Sequence, residues 1–157
     1  MSLNDEFLVG ETLGAGEMNN LPFGIAGYGN SSADQNLTTT ITASTGMSVT
    51  WTADSTRLYR VTYFEPQVQG NTVSGGNVQI AIWLTSVAGT QLQEALLTNG
   101  STVQVTNPAT VVYIGTFTSG SRTVIGAAKA SATTGTPRLR RQSTARAYLI
   151  VEDIGLA

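Results

Sequence analysis

The chain of 157 residues contains neither cysteine nor histidine. Without cysteine there is no disulfide framework, thiol nucleophile or thiolate metal site, and without histidine the commonest general base and zinc ligand is missing as well. Charged residues make up only 11% of the sequence, which disfavours coiled coils and long helical bundles, since these draw on Ala, Glu, Lys, Leu and Arg. A formal charge of -2 gives no global attraction to nucleic acid. No apolar run exceeds about five residues, far below the roughly 20 that span a bilayer. The opening from Met1 to Glu6 lacks the basic start of a signal peptide. These absences predict a non-enzymatic protein with no cofactor, no metal, no membrane partner and no nucleic-acid partner.

What the chain has instead is threonine (24), serine (13) and glycine (17). A chain of this length buries roughly two thirds of its unfolded surface, enough for one domain without staples. Residues 1–36 stand apart: Gly10, Gly14, Gly16, Gly24, Gly27 and Gly29 recur among Asn19, Asn20, Asn30 and Pro22, and no period-2 pattern lasts. They read as an N-terminal attachment arm. From residue 37 to 157 the chain reads as strand after strand, separated by Gly, Asn, Asp and Ser clusters. Met47, Val49, Trp51 and Ala53 alternate with hydroxyl residues, and Val78, Ile80, Ile82 and Leu84 give the cleanest alternation of all. Further strands are expected at 57–64, stopped by Pro66, and at 90–97, 102–106, 111–117, 123–130 and 146–154. About eight antiparallel strands of this length predict an all-β jelly-roll sandwich.

Two of these strands are apolar on both faces. Trp83 and Ala81 lie opposite the aliphatic side of their strand, and Tyr148, Ile150 and Ile154 alternate with Ala147, Leu149 and Val151. A strand apolar on both sides needs a cover, supplied by a loop, by the arm or by a neighbouring copy. The oligomer is the favoured reading, with Trp83, Ala81, Tyr148, Ile150 and Ile154 as its contact residues. Charge supports contact between copies: residues 1–78 carry seven acids and two bases, and residues 79–157 carry three acids and six bases.

Three short segments, in order, resemble one group of proteins. They are Phe7-Leu-Val-Gly-Glu-Thr-Leu-Gly-Ala-Gly-Glu-Met-Asn19, Arg57-Leu-Tyr-Arg-Val-Thr62 and Ala147-Tyr-Leu-Ile-Val-Glu-Asp-Ile-Gly155. They are similar to the opening, middle strand and closing strand of small β-sandwich virion proteins of tailed phages, of the head-fibre, capsid-decoration and minor-tail kinds. Gly14 and Gly16 depart from the Thr/Ala usual there and make the opening less helical. The resemblance implies a homotrimeric jelly roll, similar to tumour-necrosis-factor-like trimers, on the outer surface of a phage particle. Its arm would be anchored to the major capsid protein or another virion protein. The arm residues suited to that task are Phe7, Leu8, Leu13, Met18, Asn19, Leu21 and Phe23. A tail-fibre or baseplate module that binds a host glycan is the alternative.

Competing chemistries are weaker. A glycosidase needs two carboxylates about 5–10 Å apart across a cleft, and Asp34, Asp54, Glu65 and Glu94 each fall at a strand end or turn, where solvated acids are ordinary. The run 34–36 could offer oxygen ligands to calcium, but an Asx-rich turn has the same composition. Arg138, Arg140, Arg141 and Arg146 crowd one stretch; arginine is the cation of protein interfaces, so inter-subunit or capsid ion pairs are favoured over a solvated loop or a polyanion. Tyr59, Tyr63, Phe64 and Trp51 could stack on sugars, although aromatic residues in strands more often fill a core.

Overall fold

The computed structural model describes residues 21–100 and 102–157, and every regular element among them is a strand. In chain order these are β1 (Gly24–Ser31), β2 (Gln35–Asn36), β3 (Thr42–Ala53), β4 (Arg57–Gln69), β5 (Asn77–Leu84), β6 (Thr90–Thr98), β7 (Thr106–Gly115), β8 (Gly120–Ala130), β9 (Arg138–Arg140) and β10 (Ala147–Leu156). Two antiparallel sheets form. In the first, β4 pairs with β10 and then β9 along one edge and with β7 along the other, while β1 extends β10 and β2 extends β9. The second has the order β3-β8-β5-β6. The chain changes sheet at β2 to β3, β3 to β4, β4 to β5, β6 to β7, β7 to β8 and β8 to β9, which makes the sandwich a jelly roll.

The core lies between the sheets and is drawn from the alternating positions. Met47, Val49, Trp51 and Ala53 of β3, Val78, Ile80 and Ile82 of β5, Tyr59, Val61 and Tyr63 of β4, and Ala147, Leu149 and Val151 of β10 are all buried. Trp51 meets Phe117 edge-on, with ring centroids 5.0 Å apart, and Tyr59 packs on both. At the other end of β4, Glu65 faces inward among Tyr63, Ser44 and Arg141.

The short strands β2 and β9 were not expected from the sequence, and three further segments differ from the sequence reading. Part of the expected arm belongs to the sandwich: β1 pairs with β10 over seven registered positions, so the domain begins before residue 37. Alternation was hidden there because its inward positions include Gly27 and Gly29. A Cβ on Gly27 would overlap Val49 Cγ1, and one on Gly29 would come within 3.0 Å of Gly46 O, so only glycine lets β1 approach β3 this closely. Secondly, β4 runs on past Pro66 to Gln69, because the register with β7 shifts between Glu65 and Val68. That shift places Pro66 and Pro108 in the same irregular stretch, where neither missing N–H breaks the ladder. Thirdly, residues 102–105 are not a strand. Gly70 N donates instead to Val105 O at 2.9 Å, and Asn99 Nδ2 donates to Val103 O at 3.2 Å, which folds this segment as a loop.

Candidate functional site

The outer face of the first sheet is the most apolar exposed surface. Register places three cross-strand rows on it: Tyr28–Ile150–Thr62–Val112, Asn30–Tyr148–Phe64–Thr110 and Ile25–Glu152–Arg60–Ile114. Ile25, Tyr28, Val112 and Ile114 are 66%, 54%, 44% and 55% exposed, and Phe64, Tyr148 and Ile150 beside them are half-buried. Phe64 and Tyr148 stack with centroids 5.0 Å apart, so this part of the face is ordered by its own aromatic pair. The charges within the rows are Arg60 and Glu152, and they neutralise each other through two bonds, Nε–Oε2 at 2.8 Å and Nη2–Oε1 at 2.9 Å. Hydrogen bonding to Arg60 holds the Glu152 carboxyl below its ordinary range.

The first described residues are held at one end of the first sheet, on its core-facing side. Arg57, buried at the start of β4, donates to Asp153 through Nε (2.8 Å) and Nη2 (2.6 Å), and Nη2 also captures the Leu21 carbonyl at 2.6 Å. The Phe23 ring lies over the guanidinium, 3.9 Å from Cζ. Burial pushes the Asp153 carboxyl up, but the Arg57 hydrogen bond and the amides of Gly155 and Phe23 bring it below its ordinary value. The path of residues 21–23 is therefore fixed against β4 and β10.

The residues singled out in the sequence divide among different places. Tyr148, Ile150 and Ile154 do lie together on the outer face of the first sheet. Trp83 and Ala81 do not join them. They sit on the outer face of the second sheet, because β5 and β10 belong to opposing layers whose outer faces point apart. Ala81 is fully buried there. The four arginines are dispersed as well: Arg138 Nε donates to Gln69 Oε1 at 2.7 Å, Arg140 is half-buried in β9, and Arg146 is exposed beside Ser143 and Asn30. Arg141 is an internal residue, fully buried against Glu65 (Nη2–Oε1 2.5 Å, Nε–Oε2 2.9 Å), so it is not available to a neighbouring subunit. Of the arm residues, Leu21 is half-buried and Phe23 exposed, while Phe7, Leu8, Leu13, Met18 and Asn19 lie outside the described residues.

The carboxylates have separate partners: Asp34 accepts the Arg141 amide, Asp54 caps Thr56, Glu65 pairs with Arg141, and Glu94 holds two glutamines. Among the described residues no group of three or more His, Cys, Asp or Glu side chains is arranged to hold a metal ion. Sequence reasoning missed Tyr28, Ile25, Val112 and Ile114. The signal for the last two was present, since residues 111–114 are apolar at every position, like the last strand.

Comparison of the sequence with protein-family profiles and with curated protein sequences finds no match. Among solved structures the chain is similar to the Eiger TNF of S. frugiperda, with 13% identity, 85% of this chain and 94% of that one covered, and a TM-score of 0.48. It is also similar to Bacillus endospore appendages, described as disulfide-linked pili (15% identity, 88% and 94% covered, TM-score 0.31), and to the CBM35 of Cellvibrio japonicus Abf62 (16%, 87% and 97%, 0.28). These scores lie below 0.5, so what the chain does is read from its own residues.

Proposed function

We propose that the chain is a non-enzymatic structural protein of a bacteriophage particle, a homotrimer that decorates the capsid as a cement or head-fibre protein. Its copies meet through the outer face of the first sheet, and the N-terminal segment holds the trimer to the major capsid protein or another virion protein. The observation that carries this reading is the exposed apolar outer face of the first sheet, with Ile25, Tyr28, Val112 and Ile114 uncovered on it. In a ring of three the contact is heterologous, so a charge on the patch without a partner in its own copy would have to find one on the neighbour. Here the two ions are already paired. The mechanism is mechanical: three weak attachments joined in one trimer give a strong hold, because the second and third engage at high effective concentration. The alternative is a tail-fibre or baseplate module that binds a host glycan.

Attachment is tested by a truncation that deletes residues 1–20 and leaves β1, which begins at Gly24, whole. The truncated protein is expected to remain a folded trimer and to lose binding to particles that lack the protein. Undiminished decoration by the truncated form would place attachment in the sandwich and overturn this part of the proposal.

A further inference from the structure

The outer face of the second sheet carries a polar cluster that neither folding nor the proposed assembly uses. Three cross-strand rows compose it: Gln91–Trp83–Ile125, Glu94–Ala81–Ala127 and Leu96–Gln79–Lys129. The middle row is short, since Ala81 and Ala127 are fully buried, and the longer side chains of the flanking rows lie down over it. Gln79 is only 7% exposed although it points away from the core. Glu94 Oε2 accepts from Gln79 Nε2 and, at 2.9 Å, from Gln91 Nε2, while Gln79 Nε2 also reaches Gln91 Oε1 at 3.3 Å. Glu94 Oε1 has no hydrogen-bond partner among the described residues. Beside this network stands Trp83, half-buried.

We propose that Trp83, Gln79, Gln91 and Glu94 form a binding site for an uncharged saccharide. The chemistry selects the ligand class. A partly exposed indole offers an apolar plate to the C–H face of a pyranose ring. The free carboxylate oxygen accepts from a sugar hydroxyl, a charge-assisted bond roughly twice as strong as a neutral one. An anion would face the Glu94 carboxylate at the centre of the network, with Lys129 two strands away from it at the edge of the next row. A cation would find a single carboxylate already shared by two amides. A protein partner would call for a central apolar anchor in a fully desolvated pocket, and this cluster is polar at its centre. The two glutamines are held in place before any ligand arrives, so their ordering is not charged against binding. The site goes beyond the structural role and does not depend on it, because packing through the first sheet leaves the second sheet's outer face open.

Tryptophan emission provides the test, since Trp51 is buried in the core and Trp83 alone is positioned to respond. The full-length protein is titrated with the methyl glycosides of glucose, galactose, arabinose and N-acetylglucosamine, and with soluble arabinogalactan. At least one probe is expected to give a saturable change with millimolar affinity for the monosaccharides, independent of salt. Trp83→Ala abolishes it, and Glu94→Gln, an exposed and structurally mild change, weakens binding about tenfold or more. Absence of saturable binding by every probe up to tens of millimolar would overturn the proposal, as would binding by calorimetry that persists in Trp83→Ala. Neither result bears on oligomeric state or particle attachment, which are measured separately.

Discussion

Glu65 and Arg141 are fully buried, and the charge of each is tolerated because the other lies against it. Tyr63 donates to Glu65 Oε1 at 2.5 Å, and Arg141 Nη1 is satisfied by the carbonyls of Ala33 and Thr45, so the network closes on itself. Burial, and then the Glu65 charge, push the Tyr63 phenol well above its ordinary value. Arg141→Met strands a buried carboxylate and is expected to cost about 3–5 kcal/mol by urea denaturation. The double variant Arg141→Met/Glu65→Leu recovers most of that loss, because an apolar pair of similar volume replaces a desolvated ion pair at little net cost. A single variant as stable as the parent would contradict this account. None of it was legible in the sequence: Arg141 stands among three other arginines that read as surface, and its partner is 76 residues away. Asp153 adds a pH dependence whose sign is fixed. Its carboxyl lies below the ordinary value in the folded protein, so its contribution is complete above about pH 4 and fades as the pH falls toward the lowered value. Asp153→Asn removes that portion of the acid sensitivity, measurable as a flatter stability profile between about pH 5 and pH 2.

At the scale of elements, alternation found the strands whose inward positions carry side chains and missed those that do not. β3, β4, β5 and β10 announced themselves through Met47 to Ala53, Tyr59 to Tyr63, Val78 to Ile82 and Ala147 to Val151. β1 did not, because glycine shows no hydrophobicity where it faces the core. Gly27→Ala is expected to destabilise the sandwich by about 1–3 kcal/mol, since the new methyl meets Val49 Cγ1. Adding Val49→Ala makes room, so the thermal stability of the double variant should exceed that expected from the two single losses. Strict additivity would mean that β1 does not approach β3 as described. Likewise, the continuation of β4 beyond Pro66 depended on Pro108, 42 positions later in the chain, which pattern reading along one strand does not see.

For the whole molecule, the sandwich has two outer faces of different character. The first sheet presents Tyr28, Ile25, Val112 and Ile114 with an internally neutralised ion pair, and the second presents glutamine, threonine, Glu94, Lys129, a lone exposed Leu96 and one half-buried tryptophan. The sequence showed that β5 and β10 were apolar on both sides. It did not show that their outward residues point in opposite directions, which follows only from how the jelly roll distributes its strands. The proposed assembly therefore depends on the first sheet alone. Sedimentation equilibrium of the full chain at micromolar concentration tests this most directly, with three variants beside it. The parent and Trp83→Glu should both have three times the chain mass, while Val112→Glu and Ile114→Glu, which place a charge in a desolvated contact, should sediment as folded monomers. A parent protein that is monomeric and folded, or a trimer broken by Trp83→Glu and indifferent to Ile114→Glu, would contradict the account.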